Sequence, residues 1–244
     1  DLIEIAPFSI HPIHVNHSIP DTFGLLAIHH SKQSCFFFVS DFKIDNKTKY
    51  EKPFNFEKLI QLSANIPQRI LFADSTNIYS SSQETPSEED LIPVFDEIFS
   101  KAEGRIYITC FASNVHRLIT FAHLAKKHKR WLVPHGRSMR NYIETAKQHD
   151  LFYGIDDVIK DDDSGFAKNK KTVVLLSGCQ GDFLGTFRRV CLGEDATFKI
   201  EDDDTLIVSS KPIPGSERKI GALLNKVSET CAKIYSSPGS FVHV

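Results

Sequence analysis

The chain has 244 residues, 41% of them hydrophobic and 25% charged, with a formal net charge of −2. That is enough for one large domain or two smaller ones around a substantial core. No apolar run approaches the roughly 18 residues of a membrane-spanning helix, and the charge excludes a globally basic nucleic-acid binder, so such a partner would need a local basic patch. The cysteines (Cys35, Cys110, Cys179, Cys191, Cys231) are scattered with no Cys-x-x-Cys pair. This fits free thiols in a reducing cytoplasm better than a disulfide scaffold.

Residues 1–50 read as strands. Ile3–Ile5, Ile13–Val15, Leu25–Ile28 and Phe36–Val39 are short apolar runs parted by Pro, Asn, Gly and Ser, the punctuation of β structure. His11, His14 and His17 are three apart; on an extended strand His11 and His14 face opposite sides, so they cannot share an ion with His17 and read as surface residues. His29 and His30 take the same reading. A helix is expected near Phe56–Ala64, and Ile70–Ala73 reads as a buried strand ending on Asp74. Ser80–Gln83 is a plausible domain junction.

Thr85-x-x-Glu88 has the form of a capping box with Pro86 in the first turn. Leu91, Val94 or Phe95, Ile98, Phe99 and Ala102 then recur at helical spacing up to Gly104. From Arg105 the pattern becomes strand, loop and helix, repeated. Strands are expected over 105–111, 131–134, 172–177 and 205–210, with helices from Asn114 to about Lys129, after Ser138, from the Gly178–Gly181 loop through Arg189, and to about Ala232. Such alternation implies a doubly wound parallel sheet with helices on both faces. The acidic runs Asp161–Asp163 and Glu201–Asp204 read as solvated loops.

Ligands of an open parallel sheet bind outside the carboxyl ends of its strands. The loops there carry Ser113 and Asn114, then Gly136, Arg137 and Ser138, then Gly178-x-Gln180-Gly181. Each could present helix N–H groups to an anion, or could be a plain cap. Three in one sheet point to a phosphate-backbone site, with Arg117, Arg137, Arg140, Arg188 and Arg189 as its positive charge. The run Lys126–Arg130 closes a helix and reads as a complement to its dipole. Earlier in the chain, His17 and Asp41 stand where strand-like runs begin and end. An imidazole and a carboxylate so placed are either loop residues or half of a metal site.

The wording around this pair, His17-Ser18-Ile19-Pro20-Asp21 followed by Asp41-Phe42-Lys43-Ile44-Asp45, resembles nucleases of the ribonuclease J type. The resemblance continues in family order through Asp74-Ser75-Thr76-Asn77, Thr85-x-Ser87-Glu88, Phe111-Ala112-Ser113-Asn114-x-His116-Arg117, Gly136-Arg137-Ser138-Met139, Gly178-x-Gln180-Gly181 and Ile213-Pro214-Gly215. It implies an α/β chain: a partial metallo-β-lactamase sheet region over 1–78, a β-CASP domain over 79–236, and over 237–244 the start of a return to the first domain. It also implies a metal-dependent ribonuclease with 5′-to-3′ exonuclease and possible endonuclease activity on RNA. Two zinc ions, or manganese or magnesium, would activate water and clamp the displaced oxygens. His17 would ligate one ion, Asp41 would bridge both, and Asp74 would support the centre as a catalytic carboxylate. Ser113, Asn114, His116, Arg117, Gly136, Arg137, Ser138, Gln180 and Gly181 would contact the RNA backbone. A cytoplasmic homodimer or homotetramer with no membrane partner is the implied setting.

The family's His-x-His-x-Asp-His signature is absent from these residues; Phe241-Val242-His243-Val244 resembles the start of the family's His-rich segment after the β-CASP domain, whose later histidines would lie beyond Val244. Ser40 replaces the usual glycine before Asp41, and Asp182 stands where the family has Glu. The expectation is therefore a piece of a longer enzyme, inactive by itself. The alternatives are a non-catalytic β-CASP module that binds RNA or a protein partner, and an unrelated nucleotide- or sugar-binding α/β domain.

Overall fold

The computed structural model describes residues 2–76, 78, 85–161, 164–230 and 232–244. The expected junction at Ser80–Gln83, the 78/79 boundary, Asn77, Asp162, Asp163 and Cys231 fall outside them. The chain divides into compact units over 1–89 and 90–244.

The first unit is a five-stranded mixed sheet in sequential order: β1 (Ile3–Ile5), β2 (Phe8–His14), β3 (Phe23–His29), β4 (Ser34–Phe38) and β5 (Gln68–Phe72). The first four pair antiparallel, and β5 joins β4 in parallel after helix α1 (Phe56–Ser63). Period-two alternation sorts the side chains. Ile13, Val15, Leu26, Cys35, Phe37 and Val39 point to one face and pack with Phe54 and with Leu59 and Leu62 of α1. The Asn55 side chain starts α1 by accepting a hydrogen bond from the Lys58 amide at 3.0 Å. On the other face Ile3, Ile5, Phe23, Leu25, Phe38 and Phe72 are each at least 40% exposed. Strand β5, expected to be buried, is the sheet edge, with Leu71 and Phe72 exposed.

The second unit holds α2 (Ile92–Lys101), β6 (Ile106–Thr109), α3 (Val115–Lys127), β7 (Trp131–His135), α4 (Arg137–Gln148), α5 (Ser164–Ala167), β8 (Thr172–Leu176), α6 (Thr186–Cys191), β9 (Thr205–Val208), α7 (Glu217–Ser228) and β10 (Lys233–Ser236). Its strands form an all-parallel sheet in the order β10-β9-β6-β8-β7. Tyr107, Val133, Val174, Leu176, Leu206 and Val208 face α6 and α7, where Phe187, Val190, Leu223 and Val227 complete the layer. The alternate strand residues, Ile106 and Ile108 among them, face the opposite way, and α2 meets α3 through an edge-to-face pair, Phe95 and Phe121, with centroids 5.0 Å apart. This is the expected α/β architecture: a mixed sheet followed by a doubly wound parallel one.

Three local expectations change. Helix α2 starts at Ile92 after a 3-10 turn over Glu88–Leu91, not at a Thr85 capping box. The Ser87 hydroxyl instead donates to Asp45 at 2.8 Å, and Pro93 occupies the first helical turn. Helix α7 stops at Ser228, and Lys233–Ser236 pair with β9 as an edge strand. The acidic run at 201–204 is not simply solvated: Asp204 is buried, and its Oδ2 lies 2.7 Å from Nη2 of the buried Arg105. Arg105 donates further to Lys199 O at 3.0 Å and to Ala167 O. This pair clamps the amino ends of β6 and β9. The basic run at 126–130 closes α3 as expected, and four of its residues also find partners within the unit. Lys127 and His128 each reach Asp96 at 2.7 Å, Lys126 reaches Asp157 at 2.9 Å, and the buried Arg130 donates to Gly104 O at 2.8 Å.

Candidate functional site

Helix α3 packs with α2, and α6 packs with α7 across the sheet, so the chain leaves the adjacent strands β6 and β8 toward opposite faces. That is a switch point, where an open parallel sheet leaves a crevice at its carboxyl edge. The loops after β6, β7, β8 and β9 border it.

After β6, Asn114 is the N-cap of α3, its side-chain oxygen accepting from the Arg117 amide at 3.2 Å. Asn114 therefore makes the plain cap that Asn usually makes. Ser113 is half-buried beside it. His116 is buried. Arg117 is only 1% exposed, so it adds no surface charge. Its Nη1 donates to Ser209 O at 2.8 Å, to Ser209 Oγ at 3.2 Å and to His243 Nδ1 at 2.7 Å. A guanidinium has no acceptor, so the imidazole accepts through Nδ1. Ser209 Oγ in turn donates to Val242 O at 2.6 Å. Arg117 thus ties the β6 and β9 ends to the last residues of the chain.

After β7, Gly136 turns the chain with φ +108°, and a Cβ there would fall 2.2 Å from Ser177 Oγ. Only glycine fits both constraints. Arg137 and Ser138 follow it, exposed, in the first turn of α4, which has no side-chain cap. His135 just before it is buried, 2.9 Å from Asp195, which Arg189 also reaches at 3.2 Å. Burial alone would raise the Asp195 carboxyl, but hydrogen bonds from His135 and from the Phe198 and Thr197 amides hold it below the usual carboxylate range. The backbone oxygen of His135 accepts from Thr186 Oγ1 at 3.0 Å, joining this strand end to α6.

After β8, the Gly178–Gly181 loop does not open a helix as expected. Gly178 (φ +81°) and Gly181 (φ +73°) reverse the chain through successive turns, and α6 begins only at Thr186. The Gln180 amide is engaged within the protein: Nε2 donates to Lys211 O at 3.0 Å, and Oε1 accepts from Ile213 N and Ser216 Oγ, both at 2.7 Å. Gln180 joins the β8 and β9 loops, while Gly181 lies against Lys219. Around this edge Arg137, Arg140, Lys211, Arg218 and Lys219 are exposed cations.

In the first unit, Asn16 and Lys43 form an antiparallel bridge, with Lys43 N donating to Asn16 O at 2.9 Å. Antiparallel pairing sets His17, one residue on, alongside the segment that carries Asp41. Asn16 is fully buried and holds the segment after Lys43 as well, donating to Glu51 at 2.9 Å and accepting from Phe54 N at 3.0 Å. Because β4 and β5 are parallel neighbours, Asp41 and Asp74 leave the same end of the sheet. Asp41 and Asp74 are exposed, and Asp74 accepts from the Thr76 amide at 3.1 Å. Among the described residues no three or more His, Cys, Asp or Glu side chains gather into a group fit to hold a metal ion. His17 and Asp41 alone do not make a metal centre, which needs about four or more donors.

Sequence reasoning missed His135 and Ser209, and it placed His243 in a resembling segment without its partner Arg117. Ser209 and His243 act through partners 92 and 126 positions away, which no local pattern displays.

The family model "Ribonuclease J, beta-CASP domain" matches residues 103–227. Ribonuclease J of Synechocystis sp. is 34% identical over 245 residues, covering 97% of this chain and 37% of that protein. The proteins of the same name from Helicobacter pylori (strain B128) and Sinorhizobium meliloti are each 30% identical, over 99% and 100% of this chain and 35% and 43% of their own length. The chain thus spans well under half of the curated relatives it matches. A crystal structure of a protein of unknown function from Enterococcus faecalis V583 shares the fold, with a TM-score of 0.63 at 13% identity, over 100% of this chain and 54% of that one. The parallel sheet with its Ser-Asn, Gly-Arg-Ser and Gly-x-Gln-Gly turns, taken with the family match over more than half of the residues, makes this chain a member of the ribonuclease J family carrying its β-CASP domain.

Proposed function

We propose that this chain is the RNA-holding part of a metal-dependent ribonuclease whose whole length resembles that of its relatives. The observation that carries the reading is the edge where the β6, β7, β8 and β9 loops meet. An uncapped helix N-terminus with Arg137 and Ser138 exposed lies beside turns that Gln180 locks together. Free N–H groups and a guanidinium suit a phosphate oxygen. Arg117, Asn114 and Gln180 shape this edge from within, and Ser113, Arg137 and Ser138 meet the backbone directly.

His17 and Asp41 are proposed to contribute one imidazole and one bridging carboxylate to a two-metal centre, zinc or manganese or magnesium, with Asp74 in support. The remaining donors would come from residues outside this chain, so no catalytic step is assigned to it. In the whole protein 5′-to-3′ exonuclease and endonuclease activity on RNA, in a cytoplasmic homodimer or homotetramer, complete the reading.

The test is binding of single-stranded RNA across a salt series. Affinity should fall linearly on logarithmic axes, and Arg137→Ala should reduce that slope by about one. No salt dependence would favour a small-ligand domain. RNA cleavage by this chain alone, purified free of host nucleases, would overturn the division of labour. Binding without cleavage by the longest natural form would favour the non-catalytic module.

A further inference from the structure

We propose that Phe183, at the tip of the β8–α6 loop, is a stacking platform for an unpaired base of single-stranded RNA; this rests on the RNA-binding reading above. Phe183 and Leu184 are 76% and 81% exposed. They are not there because the loop is loose. The Gly185 amide donates to Asp182 O at 2.8 Å and closes the turn. Arg189 Nη1 donates to Leu184 O at 2.9 Å and fixes the tip. At its base the two glycines touch: a Cβ on Gly178 would lie 2.7 Å from the Gly185 Cα. The loop is therefore built to hold an aromatic ring in water, against the hydrophobic preference of that ring.

The surroundings of the ring select the ligand. The Arg188 guanidinium lies over it, 5.1 Å from the centroid, and is itself held by Glu194 at 2.8 Å. A ring with a guanidinium against one face and three quarters of its surface exposed offers a base a flat partner. Gln180 ties this loop to the one presenting the exposed Ile213, and Gly136 presses on Ser177 at its root. Phe183 thus belongs to the same edge as Arg137 and Ser138. A protein partner would want a broad apolar patch. Here the apolar side chains at the tip are bracketed by Asp182 on one side and by Arg188 and Arg189 on the other.

The experiment compares the whole chain with Phe183→Ala and Phe183→Trp, using a short oligoadenylate and an abasic oligomer with the same backbone. Phe183→Ala should weaken oligoadenylate binding about tenfold and leave abasic binding unchanged, and Phe183→Trp should restore it. If Phe183→Ala binds oligoadenylate as wild type does while the salt slope persists, the platform is wrong and the RNA reading stands. If wild type binds neither oligomer, both readings fall. If Phe183→Ala instead lowers the mass in sedimentation, the tip is a contact between copies and the proposal is overturned.

Discussion

Strands β6, β8 and β9 are buried at every position, whereas in the first sheet β3 buries alternate residues and leaves the others accessible, and the edge strands β1 and β5 bury none. Both sheets are nonetheless apolar on both faces. Parallel strands with helices on each side must read as continuous hydrophobic runs, and those of the second unit do. The first sheet also carries apolar residues on both faces, and among the described residues one helix, α1, packs against one of them. Apolar sequence therefore reports what a face is made of, not whether something covers it. For the same reason β5 reads as buried in the sequence and lies exposed at an edge.

The contrast makes the two units respond differently to the same substitution. Phe187→Ala removes a fully buried ring between α6 and the parallel sheet and should cost roughly 3–5 kcal/mol in urea unfolding. A loss below about 1 kcal/mol would mean that this interior is less committed than its packing implies. A smaller effect, on the order of 1 kcal/mol, is expected for Asp195→Asn. The folded carboxyl titrates below the ordinary value of about 3.9, so its contribution is full above that value and is lost as pH falls through the folded one. The gap between Asp195→Asn and wild type should be widest at neutral pH and close in acid; a gap independent of pH would remove the ionised carboxylate from the account. The smallest effect belongs to the bare face: Phe38→Ala, its ring 57% exposed, should change stability by no more than about 0.5 kcal/mol. A larger loss would show that the first sheet is covered in solution.

The elements legible in the sequence were those encoded locally. The stripe from Leu91 to Ala102 is the buried side of α2, apart from the half-buried Val94. Asn114 caps α3, and the strand runs from Ile106 to Val208 pair as an alternating pattern implies. What stayed hidden was set by distant partners. Asp204 sits in an acidic run that resembles a solvated loop until Arg105, 99 positions earlier, supplies its counter-charge. Arg117 carries the chemistry of a phosphate ligand, yet its guanidinium is used up by Ser209 and His243. The β10 run, Lys233-Ile234-Tyr235-Ser236, lacks the apolar run of β6 and β9, and its pairing with β9 decides the matter. At the β8 loop two positive-φ glycines outweigh helix propensity, so the turns run on to Gly185 before α6 can begin.

Arg117 also sets a schedule. A chain leaving the ribosome delivers this guanidinium early, but the imidazole it meets, His243, comes 126 positions later. Until that residue emerges, a permanently charged group waits without its full set of acceptors, and the rim it braces is unfinished. All five strands of the parallel sheet precede His243 in the chain, so the edge proposed to grip RNA is completed by a residue that follows the sheet. Nascent protein would thus acquire its architecture before its grip.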